Sequence, residues 1–350
     1  MTDIKSLNFN ELCEYVIGIG EKKFRAEQLY QWMHQKLADN FDECTNLSAS
    51  LRERLKEECE FTHLEPVRIQ HSKLDGTEKY LFRLSDGNYV ESVLMKYHHG
   101  NSVCISSQVG CRMGCRFCAS TLNGKVRDLK PSEMLDQIYR IQKITGERVS
   151  NVVVMGSGEP MDNFDNLIKF IELLNDPRGL NISQRNITVS SCGLVPELKK
   201  LADLKLQITL AISLHAPEDE LRKTMMPIAN KYSVAELMDV CRYYIEKTGR
   251  RISFEYSLVK GVNDSFKCAE ELISLVRGLN CHINLIPVNP IKERDYRQTG
   301  KDEVYAFKNK LEKNGINVTI RREMGRDIDG ACGQLRNKYM EDVNESNGNY

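Results

Sequence analysis

Cys111-Arg112-Met113-Gly114-Cys115-Arg116-Phe117-Cys118 sets three cysteines at C-x3-C-x2-C spacing, followed by Ala119-Ser120-Thr121. Three thiolates this close can hold one face of an iron–sulfur cubane and leave its fourth iron open to another ligand. An open iron makes the run a candidate reaction centre and not only a staple. Zinc is the competing reading. A structural zinc site closes its tetrahedron with four protein ligands, and no partner pair at C-x2-C spacing follows in the chain.

Outward from this run the chain alternates between two kinds of segment. Strand-like apolar runs recur at Val103–Ser106, Asn151–Met155, Ile187–Ser190, Gln207–Ser213, Arg251–Tyr256, His282–Ile286 and Asn317–Arg321. Between them lie helical patterns. In Pro131–Thr145 the residues Met134, Leu135, Ile138, Ile141 and Ile144 share one face and Ser132 is the expected N-cap; the others are Phe164–Leu174, Pro196–Leu204, Val234–Lys247, Ser265–Leu279 and Asp302–Asn314. This alternation predicts an α/β fold with a parallel sheet covered by helices, open or rolled into a barrel. Ligands in such folds collect at the carboxyl ends of the strands.

Polar residues follow the strands here. They occur in Gly156-Ser-Gly158-Glu159-Pro160, in Ser190-Ser191-Cys192-Gly193, in Ser213-Leu214-His215-Ala216-Pro217, and at Asn289 between Pro287 and Pro290. Glycine lets the backbone approach a ligand, and a carboxylate such as Glu159 can accept hydrogen bonds from an amine or a ribose. Taken singly, each has a bland reading as a tight turn or a satisfied polar side chain. Four around one sheet mouth together suggest a binding site.

Composition sets the frame. The chain has 350 residues, with 49 basic and 49 acidic side chains, so bulk charge neither favours nor excludes a nucleic-acid partner. Locally, Arg112, Arg116, Lys125, Arg127 and Lys130 surround the cysteine run with only Asp128 opposing them, and Arg321, Arg322 and Arg326 lie further on. This grouping predicts a phosphate-binding face. The start of the chain shows no apolar signal region and no run is long enough to span a bilayer, which points to a cytoplasmic protein. In a reducing compartment twelve cysteines argue for metal or catalytic use more than for disulfides. Cys13, Cys44, Cys59, Cys241, Cys268 and Cys281 read as buried small hydrophobes.

The expected organisation is a helical accessory domain over residues 1–65, a β-hairpin linker over 66–96, a core over 97–335 and a disordered tail over 336–350. Three residues stand apart from the strand-end motifs. Cys104 reads as a buried core thiol. Cys332, flanked by Gly330 and Gly333, is equally compatible with an accessible reactive thiol and an ordinary loop cysteine. Glu91, in the alternating stretch Tyr89-Val-Glu-Ser-Val-Leu-Met95, reads as a solvent-facing charge on an edge strand.

The ensemble resembles one family. C-x3-C-x2-C with an aromatic before the last cysteine is the signature of radical S-adenosylmethionine enzymes. Cys104-Ile-Ser-Ser-Gln-Val-Gly-Cys111, Gly158-Glu159-Pro160, Ser213–Pro217, Asn284-Leu-Ile-Pro-Val-Asn-Pro290 and Ala331-Cys-Gly-Gln-Leu335 are together similar to the RlmN-type RNA adenine-C2 methyltransferases. The similarity runs from about Phe24 to Leu335.

The resemblance implies a partial (β/α)6 barrel. It implies a [4Fe–4S] cluster on Cys111, Cys115 and Cys118, and S-adenosylmethionine held by Gly158, Glu159, Ser190, Ser213, Leu214, His215 and Asn289. By the same analogy two molecules of S-adenosylmethionine are used per turnover. One methylates Cys332. The other yields a 5′-deoxyadenosyl radical, which takes hydrogen from that S-methyl group so that the carbon can add to adenine C2. Glu91 matches the proton acceptor, and Cys104 the thiol that resolves the adduct through a transient disulfide with Cys332. The implied partners are 23S rRNA before ribosome assembly, tRNA at the adenosine beside the anticodon, and an electron donor such as flavodoxin or ferredoxin, with the enzyme itself a monomer.

Ser157 and Gly330 depart from the family's commoner Met and Ala without removing a ligand. Two alternatives stay open: the sister group that methylates adenine C8 and confers antibiotic resistance, against which Pro160 and Pro287 weigh, and a non-catalytic, zinc-stapled RNA-binding protein.

Overall fold

Runs such as Val152-Val153-Val154 and Leu210-Ala211-Ile212 carry apolar side chains on both faces, so they need cover on both sides, which an interior parallel sheet provides. The computed structural model describes residues 1–290 and 293–347. Its main sheet has ten strands: β1 (Glu65–His71), β2 (Glu78–Arg83), β3 (Tyr89–Tyr97), β4 (Gly100–Ile105), β5 (Val149–Val154), β6 (Ile187–Ser191), β7 (Thr209–Ser213), β8 (Ile252–Leu258), β9 (Cys281–Pro287) and β10 (Val318–Ile320). Sequence neighbours are sheet neighbours throughout. Strands β1–β4 are antiparallel and β4–β10 parallel.

Helices α1 (Phe9–Gly18), α2 (Phe24–His34) and α3 (Ala49–Glu58) precede the sheet. The crossovers are α4 (Pro131–Thr145), α5 (Phe164–Asn175), α6 (Val195–Asp203), the short α7 (Asp219–Met225) with α8 (Val234–Thr248), α9 (Phe266–Val276) and α10 (Lys301–Lys313). Each strand from β4 to β9 is thus followed by helix before the next strand. This is the partial (β/α)6 barrel with β10 added at one edge, and it stays open because β1 and β10 end the sheet without pairing with each other.

The strand and helix positions agree closely with the apolar periodicity, and the differences have identifiable causes. Ser132 does not cap α4. Pro131 takes the first helical position, where its fixed φ fits and its missing N–H is not needed, and the Lys130 N–H donates to Glu133 Oε2 at 2.8 Å. Ser132 instead donates to Asp3 at 2.7 Å and accepts from Thr62 at 2.9 Å. Residues 66–96 are not a linker: β1, β2 and β3 extend the barrel sheet. Nor is the segment after Leu335 without order. Helix α11 (Gln334–Asn347) continues from a buried Leu335, and Tyr339 packs on Tyr89 of β3 with ring centroids 5.2 Å apart; residues 348–350 lie outside the described residues.

The N-terminal helices are fixed to the barrel by buried charge. Lys5, fully buried, reaches Asp136 of α4 at 2.9 Å and the Thr62 carbonyl at 2.6 Å, while the second Asp136 oxygen accepts from the Leu64 N–H at 2.7 Å. Arg140, one turn along α4, pairs with Asp39. Removing one partner of such a pair strands the other charge in a low-dielectric interior, typically at a cost of about 3–5 kcal/mol. Lys5→Met is therefore expected to lower the thermal unfolding midpoint strongly, and Lys5→Met combined with Asp136→Leu to recover part of the loss, as measured by circular dichroism.

Candidate active site

The carboxyl ends of the parallel strands surround a cavity of about 520 Å3. Cys111, Cys115, Cys118, Gly158, Glu159, Ser190, Ser213, His215, Asn289, Cys104 and Cys332 all line it. Gly158 has φ +110°, and a Cβ there would lie 2.6 Å from Gln108 Cβ and 2.7 Å from Ser107 Oγ, so only glycine brings the backbone to this wall. Two sequence candidates are not on the wall. Leu214 is fully buried behind it, with its carbonyl accepting from Arg222 Nε at 3.1 Å. Glu91 is buried on β3, which lies between β2 and β4; it is not on an edge and does not face solvent.

Several polar groups are fixed before any ligand arrives. His215 sits at φ +56°, in the left-handed region, with its ring edge-on to Phe117 at 4.5 Å. The Ser257 N–H donates to His215 Nδ1 at 2.9 Å, so the neutral ring carries its proton on Nε2. Burial, with a contribution from nearby Arg222, lowers the His215 pKa to about 3, which keeps the ring neutral at physiological pH. Glu159 is buried, which raises its pKa, and its two oxygens accept from the N–H groups of Met161 at 3.1 Å and Cys192 at 2.8 Å.

The three-cysteine run is built to hold an anionic group. Cys115 lies in an apolar cluster with Cys192, Met225, Met226, Val259 and Val288. Burial pushes the Cys111 thiol up to about 12 and Cys118 up to about 11, so loading a metal centre must release protons. Arg222 is fully buried on α7. It donates to the carbonyls of Cys192 (2.7 Å), Leu214 (3.1 Å) and Ser213 (3.2 Å), and its Nη1 has no partner among the described residues. A buried guanidinium served only by carbonyls is short of an anion, and a cluster bound through thiolates would supply that charge. Among the described residues no three Cys, His, Asp or Glu side chains converge on a point that one metal ion could fill. A cubane binds each thiolate at a different iron and does not need such convergence.

A second thiol pair lies across the cavity. All twelve cysteines are free, and Cys104 and Cys332 line the same cavity with their thiols close enough to shift each other's ionisation. In its protonated form the Cys332 thiol donates to the Met155 carbonyl at 3.5 Å. The neighbouring Cys104 thiol, aided by Lys79 and Arg321 and opposed by burial and Glu91, lowers Cys332 to about 7. The same interaction, with burial, drives Cys104 well upward. The pair is therefore asymmetric: Cys332 is the more readily ionised thiol and Cys104 the less.

The basic face expected around the cysteine run is largely neutralised. Arg112 pairs with Asp162, Lys125 with Asp162 and Asp128, Arg127 with Asp86 and Glu133, and Lys130 with Glu60. Asp162, Asp86 and Glu60 come from more distant parts of the chain, which is why the local charge pattern missed them. Arg116, Arg321 and Arg322 are exposed and make no ion pair among the described residues, and Arg321 and Arg322 reach the cavity. Cys192, Glu255 and Ser257 also line the cavity and were not singled out; Cys192 follows a strand and Ser257 lies near the end of one, the signal that marked the other residues, whereas Glu255 sits mid-strand in β8 and carries no such signal.

Comparison with known proteins gives this geometry a family. Residues 2–61 match the ribosomal RNA large subunit methyltransferase N-terminal domain, and residues 105–274 match the radical SAM superfamily. The chain is 87% identical over its whole length, and the relative's, to a probable dual-specificity RNA methyltransferase RlmN of Lachnospira eligens. It is 56% identical to the protein described in the same words from Clostridium novyi, over 97% of this chain and 99% of that one. This chain belongs to the RlmN family. A crystal structure of a radical SAM methyltransferase from Sphaerobacter thermophilus superposes with a TM-score of 0.92 at 40% identity, covering 95% of this chain and 99% of that one. The radical SAM superfamily carries a [4Fe–4S] cluster and S-adenosylmethionine, and the three thiols, the apolar shell and unpaired Arg222 fit such a cluster.

The asymmetry of the thiol pair is measurable. Iodoacetamide labelling of Cys332, followed peptide by peptide in the mass spectrometer, should rise with a midpoint near pH 7, because its thiolate is present above that value. Cys104→Ala removes the neighbouring thiol and should move the midpoint up.

Proposed function

We propose that this RlmN-family enzyme methylates C2 of an adenine in RNA through a methyl group carried on Cys332. The observation that supports this most is the Cys104–Cys332 pair in the same cavity as the three-cysteine run. Adenine C2 is electron-poor and cannot take a methyl group as a nucleophile, so direct polar transfer fails and a carrier is needed. A bound cluster supplies the electron that breaks S-adenosylmethionine and so starts the radical chemistry.

The chain's own residues do the rest. Cys111, Cys115 and Cys118 hold the cluster. Glu159, Ser190, Ser213, Asn289 and the backbone at Gly158 face the cavity and bind the amino acid and ribose parts of S-adenosylmethionine, with His215 offering a fixed Nε2 donor. Leu214 acts from behind the wall through its backbone. The Cys332 thiolate is the nucleophile that takes a methyl group from one S-adenosylmethionine, and its S-methyl group is the hydrogen source for the second. After the adduct has lost one electron and its C2 proton, Cys104, having given up its own proton, is placed to attack the Cys332 sulfur. The S–S bond forms as the S–CH2 bond breaks, the released carbon takes up a proton to become the methyl group, and an external dithiol reduces the transient disulfide. Glu91 is the family's proton acceptor.

The substrates in this reading are 23S rRNA, before the ribosome assembles, and the adenosine beside the anticodon of tRNA. The adenine must leave its stack to reach the cavity, and the unpaired Arg116, Arg321 and Arg322 are the phosphate contacts at its mouth. A low-potential donor of the flavodoxin or ferredoxin type reduces a monomeric enzyme. Among the described residues no helix is long and apolar enough to cross a membrane, and the working site is the cytoplasm.

The test is Cys332→Ala with digestion of the RNA and mass spectrometry. The wild type should yield 2-methyladenosine and the variant none, while iron and sulfide stay bound. Catalytic methylation by the variant would remove the carrier role, and 8-methyladenosine from the wild type would move the enzyme to the sister group.

A further inference from the structure

Lys79 has no part in the proposed chemistry, yet it is fully buried. The sheet register explains where it points. Lys79 on β2 lies opposite Val93 on β3, and Val93 lies opposite Cys104 on β4. Glu91 lies opposite Leu81, two residues from Lys79. Paired residues share a face and so do residues two apart along a strand, so Lys79, Glu91 and Cys104 stand on the cavity face of the sheet, under the segment that carries Cys332.

The ammonium of Lys79 has three partners for its three protons: the Asp329 carbonyl at 2.5 Å, the Ala331 carbonyl at 2.6 Å and Glu91 Oε2 at 3.1 Å. The same Glu91 Oε2 accepts from the Gly333 N–H, and Oε1 accepts from the Arg336 N–H, each at 2.6 Å. The ion pair therefore binds two carbonyls just before Cys332 and two amides just after it. Gly333 has φ +81°, and a Cβ there would lie 2.8 Å from the Ser120 N, so the segment is pressed against the loop that follows the three-cysteine run. Further out, Asp327 accepts from Ser72 Oγ at 2.5 Å and the Lys73 N–H at 2.8 Å, and Gln70 exchanges hydrogen bonds with Asp329. The antiparallel strands thus hold the segment from beneath.

We propose that Lys79 is a positioning residue which, through Glu91 and the carbonyls of Asp329 and Ala331, latches the Cys332 segment in the docked position that places its thiol against Cys104. The proposal rests on the reading of Cys332 as methyl carrier for its functional consequence, but the latch itself can be observed without it. The latch favours the docked state over a released one through charge-assisted bonds, the stronger class of hydrogen bond. Without the ammonium, two carbonyls and the Glu91 carboxylate lose their shared partner and the segment lifts.

The experiment uses the anaerobic, cluster-loaded enzyme and compares wild type with Lys79→Met. In Lys79→Met, hydrogen exchange of the amides between Gly333 and Arg336 should quicken by about tenfold or more, as the loss of even one such bond would give. S-methylcysteine formation at Cys332, measured by mass spectrometry with S-adenosylmethionine alone, should slow by a similar factor. Reductive cleavage of S-adenosylmethionine to 5′-deoxyadenosine should be retained, which shows that the fold and the cluster are intact. Lys79→Arg, which keeps the charge, should recover more of both signals than Met. If Lys79→Met does not fold, Lys79→Gln, neutral but still a donor, takes its place under the same criteria. Unchanged protection of the Gly333–Arg336 amides overturns the latch, and faster exchange with unchanged Cys332 methylation overturns its positioning role. Absence of S-methylcysteine in the wild type would instead count against the carrier reading and leave the exchange result to judge the latch.

Discussion

Strand β4 carries two kinds of pairing at once, and the site depends on that. Along one edge it binds β3 antiparallel, with Cys104 opposite Val93, and along the other it binds β5 parallel, with Cys104 opposite Val153. It is where the sheet changes from a hairpin stack to a barrel wall. The chain that leaves its carboxyl end runs directly into the three-cysteine run, as ligand loops do in parallel α/β sheets. Had β4 been the barrel's edge, Cys104 would have had no wall beside it and the Cys332 segment no platform. The antiparallel extension supplies both. A one-residue slip between β3 and β4 would turn Glu91 and Cys104 to opposite faces, so the proposed roles of both residues depend on this register.

Among the described residues three cations, Lys5, Lys79 and Arg222, are fully buried, and they are satisfied in different ways. Lys5 has a carboxylate, Asp136, and a carbonyl. Lys79 has a carboxylate and two carbonyls that belong to the segment it organises. Arg222 has carbonyls alone, among the described residues, and a free Nη1. Buried pairs of this sort add little net stability against a well-packed apolar alternative, but each is costly to leave half-made. They therefore act as conditions on the fold: the accessory helices must meet α4, the Cys332 segment must meet β2 and β3, and α7 must meet an anion at the cysteine run.

The barrel was legible because its signal is periodic. Pro131–Thr145 emerged with both ends as expected, and every parallel strand lay within a few residues of its apolar run. What failed depended on distance along the chain. Glu91 alternates like an edge residue, and only β1 and β2 on its far side make it interior. The basic residues near the cysteine run look unopposed until Asp162, Glu60 and Asp86 are brought to them by other elements. The last segment reads as disordered because it is polar. It is helical in part because Glu91 serves the free N–H groups at its start, the role an N-cap would otherwise fill. Of the site itself, the cysteines and strand-end polar groups could be read directly, whereas the buried cations that position them could not.

Under the proposed reaction the Cys104–Cys332 pair must satisfy two requirements that pull against each other. On the carrier reading, Cys332 takes a methyl group as a thiolate held still, and the neighbouring Cys104 and the proposed latch on the backbone would serve those two needs together. To be resolved afterwards, the alkylated Cys332 sulfur must be attacked by that same Cys104, now without a thiolate to donate to. Methylation removes the acceptor, so the interaction that holds Cys104 protonated in the resting pair disappears once the carrier is loaded. A separate, unmethylated device is then needed to keep the two sulfurs together. Lys79 and Glu91 grip only backbone groups on either side of Cys332, which methylation does not alter. Holding the segment by its backbone is what allows the side chain to change its chemistry while remaining in place.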